Sequence, residues 1–306
     1  MARYLTVASV SHDPLVEFRG RPEVLLHHAD HMLRRAVHHG AQLVVFPEVY
    51  FHRAREGKAV DIAEPLDGPT LSRLRELARQ HRLHLVCPLY TRQQGKVHNS
   101  SVLLSPQGEV IGAYHKVHPT IGEIEEGITP GTEPLVFATE FGRVGMAICF
   151  DLNFPDLMRG LAANGAEIIC FSSAYRGGLQ LRLWAFELGV YLVSAILAEL
   201  GRIVDQSGQV LAEATYEQLI ARRLNLDRRL LHMDYNWDKM DAILEKYGSG
   251  VSFEYFTREA CFTIASERPD LGVEDIIREF GLEERADYWA RSQRVRAQAL
   301  GQPSGG

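Results

Sequence analysis

The chain has 306 residues, 46% hydrophobic and 24% charged, the balance of a globular protein able to bury a large core in one α/β domain or two smaller ones. Its net charge of −6 leaves no electrostatic footprint for nucleic acid or an anionic membrane, so a small-molecule partner is expected. No apolar run approaches the ~18 residues that cross a bilayer, no basic-then-hydrophobic leader opens the chain, and Cys87, Cys149, Cys170 and Cys261 lack C-x-x-C spacing; this predicts a cytoplasmic protein with reduced thiols and no zinc site.

Short apolar runs alternate with helical patterns, the sequence form of an α/β sandwich. Tyr4–Ser9 reads as a strand. Pro22 to His39 carries Val24, Leu25, Met32, Leu33 and Val37 at helical spacing and closes on Gly40, a residue suited to a left-handed C-terminal cap. Five histidines crowd this helix. His27 and His31 stand at i, i+4, but no H-E-x-x-H companion or acidic third ligand accompanies them, so solvated positions are expected and no metal. Leu43–Phe46 is the next strand, and Thr70 to Gln80 the next helix, through Leu71, Leu74, Leu77 and Ala78. Strands follow at His84–Tyr90, Val97–Leu104 and Val110–Lys116, the last two joined by the turn Ser105-Pro106-Gln107-Gly108. Leu135–Ala138, Val144–Ile148, Ile168–Phe171 and Tyr191–Ala195 continue the series, and Asp205-Gln206-Ser207-Gly208 repeats the turn chemistry after Ile203-Val204. The stretch 236–300 is rich in charges and helix formers without strand-like alternation; it predicts a helical extension, packing on the core 1–235 or on a partner subunit, ahead of a disordered tail at 301–306.

Three of these strands end on a charged or nucleophilic residue: Glu48 after Leu43-Val44-Val45-Phe46-Pro47, Lys116 in Ala113-Tyr114-His115-Lys116, and Cys149 after Gly145-Met146-Ala147-Ile148. Singly, each has an ordinary reading as a rim carboxylate, a surface lysine or a core thiol. Jointly they supply what hydrolysis of an amide or nitrile needs: a soft nucleophile, a base, and a cation for the developing oxyanion. Glu48 would take the thiol proton and later activate water; Lys116, with the Phe150 N–H, would hold the oxyanion. A thiol at a strand-to-helix corner lies near N–H groups that favour thiolate, so Cys149 is expected to be alkylated well below pH 8.

These segments resemble the Glu-Lys-Cys signature of the nitrilase superfamily of carbon–nitrogen hydrolases, in the same order, over about residues 4 to 235. The resemblance implies a four-layer α-β-β-α sandwich that forms a homodimer or higher homo-oligomer, with the roles given above and no metal or organic cofactor. It also implies a second glutamate in the loop after the lysine. Gly122-Glu123-Ile124-Glu125-Glu126 offers three; Glu125 is placed first, with Glu126 and Glu123 behind it. Cys149-Phe150-Asp151 is similar to the amidase side of the superfamily, where true nitrilases have Trp-Glu. Leu152 and Asn153 stand where N-carbamoyl amino acid hydrolases resemble one another in carrying an arginine pair, and Arg159 reads as a structural helix residue. Ser172-Ser173-Ala174-Tyr175 resembles the pocket-lining segment, and Trp184-Ala185-Phe186-Glu187 the helix whose glutamate faces the site, although Gly189 and Ile196 depart from the usual asparagines. Tyr50, Phe51 and His52 form either an aromatic pocket wall or ordinary packing. The expectation is an amidase that releases ammonia or an amine from a small amide, with Glu48, Lys116, Cys149 and Glu125 catalytic and Phe150, Asn153, Ser173, Ala174, Tyr175, Glu187 and Tyr50 binding substrate. An N-carbamoyl hydrolase, a nitrilase and a catalytically idle binding protein are the alternatives.

Overall fold

A computed structural model describes residues 2–301, without the side chains of Val16, Phe256 and Thr257; of the tail 301–306, all but Gly301 lies outside the described residues. The strands are β1 (Tyr4–Val10), β2 (Leu43–Val45), β3 (His84–Gln93), β4 (Lys96–Leu104), β5 (Val110–His115), β6 (Val136–Ala138), β7 (Arg143–Ile148), β8 (Ile168–Ser173), β9 (Tyr191–Ile196), β10 (Arg202–Val204), β11 (Val210–Glu213), β12 (Leu219–Asn225), β13 (Arg228–His232), β14 (Val251–Phe256) and β15 (Cys261–Ser266). The helices are α1 (Pro14–Phe18), α2 (Pro22–His38), α3 (Ala59–Ile62), α4 (Pro69–His81), α5 (Ile121–Glu125), α6 (Pro155–Ala163), α7 (Gly178–Leu188), α8 (Met240–Tyr247), α9 (Val273–Phe280) and α10 (Arg285–Ala299). The chain divides into two compact units, Leu5–Leu224 and the few residues before it together with the chain from Asn225 onward.

In the larger unit, two six-stranded sheets, ordered β12-β1-β2-β3-β4-β5 and β11-β10-β9-β8-β7-β6, face each other. Polar side chains stitch the faces together: Ser172 Oγ donates to the Phe46 carbonyl at 2.8 Å and Ser9 Oγ to the Ser194 carbonyl at 2.7 Å. The innermost strands run parallel, β1 with β2 and β3, and β7 with β8 and β9, so within each sheet their C-terminal ends lie on one edge. Helices α2 and α4 cover the first sheet, burying Leu25, Met32, Leu33, Leu71, Leu74 and Leu77 against Val44, Leu85 and Cys87. Each such side chain contributes about 1.5–3 kcal/mol of transfer free energy. Gly40 takes the left-handed cap, φ 72°, that ends α2, whereas Val37 faces solvent at 41% exposure and lies outside the core expected of it. Helices α6 and α7 lie against β7 and β9, completing the α-β-β-α layering.

The second unit corrects the helical reading of 236–300. Helices α8, α9 and α10 are present, but they accompany a three-stranded antiparallel sheet, β13-β15-β14. The unit also begins at Asn225, eleven residues before 236, because β13 pairs with β15 and not with the sandwich sheets. Its core is Leu231, Met240, Ile243, Phe262, Ile264 and Ile276 with close neighbours. Among the described residues, no helix is long and apolar enough to cross a membrane.

Candidate active site

Glu48 follows β2, Lys116 follows β5, and Cys149 opens the short 3-10 turn Cys149–Asn153 after β7. The fold brings the three together. Lys116, 1% exposed, donates to Glu48 Oε1 at 2.8 Å, and the carboxylate of Glu48, 5% exposed, lies near enough to the Cys149 thiol to act on its proton. The Ala174 N–H donates to Glu48 Oε2 at 3.1 Å. Both Val49 and Cys149 adopt left-handed backbone, φ 45° and 49°, which for residues bearing a Cβ costs of the order of 1–2 kcal/mol and marks sharp corners at these strand ends.

The glutamate beside Lys116 is Glu123, which corrects the preference for Glu125. Lys116 Nζ donates to Glu123 Oε2 at 2.8 Å, whereas Glu125 is exposed on the last residue of α5. The physical reason is a capping box. Thr120 Oγ1 accepts from the Glu123 N–H at 3.3 Å while Glu123 Oε2 accepts from the Thr120 N–H at 2.7 Å, turning that side chain back toward the lysine. The motif Thr120-Ile121-Gly122-Glu123 was the sequence signal that identifies it. Glu126 lines a separate cavity of about 330 Å³ with Val49, Arg53, Lys58 and Tyr90. Asn99, on β4, was absent from the sequence reading. Its Nδ2 donates to Glu48 Oε1 and to Glu123 Oε1, both at 2.9 Å, holding the two carboxylates on either side of one amide.

Burial is the largest influence on Cys149 and pushes its thiol up to about 12, with the Glu48 carboxylate adding to the rise and Lys116 opposing it. This overturns the expectation of a free thiolate. Burial works against a charged Lys116, but Glu48, Cys149 and Glu123 outweigh it and hold the ammonium well above its usual range. Burial likewise disfavours charge on Glu123, and Lys116 reverses the sign, keeping that carboxyl below the ordinary glutamate range.

Of the expected binding residues, Ala174 bonds Glu48 directly, and Phe150, the residue after Cys149, is 37% exposed and in edge contact with Phe154. Asn153 donates to the Phe150 carbonyl at 3.0 Å and accepts from Gln180 at 2.8 Å. Tyr175 is half-buried, its phenol pushed up to about 12 by burial and then by Cys149; Ser173, fully buried, closes a turn by bonding the Tyr175 N–H and carbonyl. Tyr50 and Glu187 are placed differently. Tyr50 is fully buried among Phe46 and Phe51 with its hydroxyl 2.9 Å from His12 Nδ1, so it belongs to the core and not to a pocket wall. The Glu187 carboxylate is held by Arg159 at 2.7 and 2.9 Å, an α6–α7 pair that gives Arg159 its structural role. Among the described residues no group of three or more His, Cys, Asp or Glu could hold a metal ion.

A double-sheet sandwich with a buried carboxylate and lysine and a partly exposed thiol at strand ends defines a class, that of the nitrilase-type hydrolases. The chain belongs to the carbon–nitrogen hydrolase family, whose pattern it matches over residues 6–228. It is 33% identical over 195 residues to rat deaminated glutathione amidase, covering 56% of this chain and 59% of that one, and 30% identical over 216 residues to a Pseudomonas (R)-stereoselective amidase, covering 64% and 78%. The chain thus spans about three-fifths of the length of the rat relative. The fold is that of Saccharomyces cerevisiae Nit3, a member of branch 10 of the nitrilase superfamily (TM-score 0.64, 23% identity, 73% of this chain and 90% of that one), and of an amidase from Nesterenkonia sp. (TM-score 0.64, 24% identity, 79% and 97%).

Proposed function

We propose that this protein is an amidase that cleaves a non-peptide C–N bond of a small amide through a Cys149 thioester. The observation that carries the reading is the single buried Glu48 carboxylate, paired with the Lys116 ammonium at 2.8 Å and close enough to the Cys149 thiol to raise its pKa. As Cys149 Sγ attacks the carbonyl carbon, its proton passes to Glu48. Lys116 Nζ has three N–H groups and three carboxylate oxygens in reach, Glu48 Oε1 at 2.8 Å and Glu123 Oε2 and Oε1 at 2.8 and 3.1 Å; the N–H on the longest of these turns from Glu123 to the oxyanion, which the Phe150 N–H also meets. Collapse of the tetrahedral intermediate breaks the C–N bond while Glu48 returns the proton to the departing amine. Glu48 then takes a proton from water, the hydroxide equivalent attacks the thioester, and Sγ leaves and recovers that proton. The products are an acid and ammonia or an amine, formed in the cytoplasm by a homodimer or higher homo-oligomer.

The test is ammonia release from a panel of aliphatic and aromatic amides, N-carbamoyl amino acids and nitriles, with Cys149→Ala beside the wild type. Release from amides that disappears in the variant supports the reading. Release only from carbamoyl compounds or nitriles moves the protein to that branch, and no release from any class turns the reading toward a binding protein.

A further inference from the structure

We propose that Asp151 is the positioning residue of the nucleophile corner and that Tyr114 fixes it, the two forming a tether between the strand that presents Lys116 and the turn that presents Cys149. The inference rests on the reading of Cys149 as nucleophile and Lys116 as oxyanion cation.

Both side chains are fully buried. Asp151 Oδ2 accepts from the Tyr114 hydroxyl at 2.6 Å and from the Ile148 N–H at 2.9 Å, and Oδ1 accepts from the His118 N–H at 2.8 Å. The Tyr114 hydroxyl in turn accepts from the Val117 N–H at 3.3 Å. These donors come from the residue immediately before Cys149 and from the two residues immediately after Lys116. Tyr114 itself lies two residues before Lys116, on the same face of the extended chain. One buried carboxylate therefore fixes the backbone on both sides of the cleft into which the reacting carbonyl must fit.

Burial is expensive for this group and is the dominant influence on it, raising its pKa despite its hydrogen bonds. Its three donors are two backbone N–H groups and a phenol, so an acceptor-only side chain is required on both oxygens. An asparagine amide in the same place would turn N–H groups toward one of these donors. The bond from the Ile148 N–H to Asp151 also closes the chain around Cys149 and holds it in its left-handed conformation. A slack tether lets Sγ drift from the line of attack, and a displacement of about 1 Å at a reacting atom costs of the order of 10²-fold in rate.

Tyr114→Phe removes one hydroxyl and keeps the buried ring. The expected result for a Cys149-dependent amide is a kcat lower by about tenfold with KM within about twofold, and a loss of about 10²-fold in Asp151→Asn. The double variant should be no slower than Asp151→Asn alone, since both act through one tether. A purely structural role would lower the melting temperature and leave kcat of the folded Tyr114→Phe protein unchanged, which overturns the proposal. Where Asp151→Asn fails to fold, Tyr114→Phe decides. Alkylation of Cys149 by iodoacetamide supplies a readout without turnover: it should slow severalfold in Tyr114→Phe, and an unchanged rate sinks the tether whether or not any amide is hydrolysed. Absence of turnover in a wild type whose alkylation does depend on Tyr114 would instead count against the amidase reading alone.

Discussion

Cys149 titrates in a field made mostly by its own burial and by Glu48, and that field has a measurable sign. At neutral pH the thiol keeps its proton, so alkylation by iodoacetamide should go on rising through pH 9 and 10 and show no plateau near pH 8. Glu48→Gln removes a carboxylate that disfavours thiolate. It should therefore speed alkylation at pH 8 while lowering amide turnover by about 10²–10⁴-fold, because the proton acceptor is gone. Mass-spectrometric alkylation rates across pH check both halves; slower alkylation of Glu48→Gln at every pH would refute the electrostatic account. A second contrast separates neighbours in one loop. Glu123→Gln loses a charge partner of Lys116 and should reduce kcat by about 10-fold or more, whereas Glu125→Gln, on an exposed side chain, should match the wild type. Equal losses in the two variants would mean that the loop's charge matters and the Glu123 contact does not.

At the scale of elements, the alternating strands and helices of the sandwich were legible because each carries its own periodicity, and Glu48, Lys116 and Cys149 were legible because each terminates an apolar run. Glu123 and Asn99 were harder to read for a physical reason. Their importance lies in where side chains meet across β4, α5 and the strand ends, and only the Thr120–Glu123 capping box leaves a local trace. Tyr50 misled because an aromatic residue two positions from a site carboxylate reads alike whether it lines a pocket or fills the core. The helical reading of 236–300 missed β15 since Cys261–Ser266 is the central strand of its sheet and buried at every position, which replaces alternation by a continuous run. Phe262, fully buried there, tests the sheet assignment. Phe262→Ala should cost that unit about 3–5 kcal/mol. Urea unfolding followed by fluorescence of Trp237 and Trp289 would measure it, and a loss below about 1 kcal/mol would be incompatible with a packed central strand.

Across the whole molecule, the histidines of the larger unit point to instability in acid. Burial is the largest influence on His12, His28, His52, His84 and His115, and it lowers all five, with His28 and His115 reaching about 4 and His52 about 3. An unfolded histidine binds its proton near pH 6.5, so below that pH the unfolded chain holds more protons than the folded one. The stability these residues contribute is complete above about pH 6.5 and is lost as pH falls toward their folded values of about 3 to 4. Asp13 and Glu123, held below their usual range, act in the same direction at the acid end, while Asp151, held above its usual value, acts against them. His52, 2% exposed, is the cleanest case: between pH 7 and pH 4.5 its neutral burial alone should remove about 2–3 kcal/mol of unfolding free energy. Urea midpoints at pH 7, 5.5 and 4.5, with Trp237→Phe and Trp289→Phe so that Trp184 reports on the larger unit, should fall steadily. A midpoint that holds constant to pH 4.5 would show that these imidazoles accept protons without unfolding the sandwich, and that their burial does not set its acid limit.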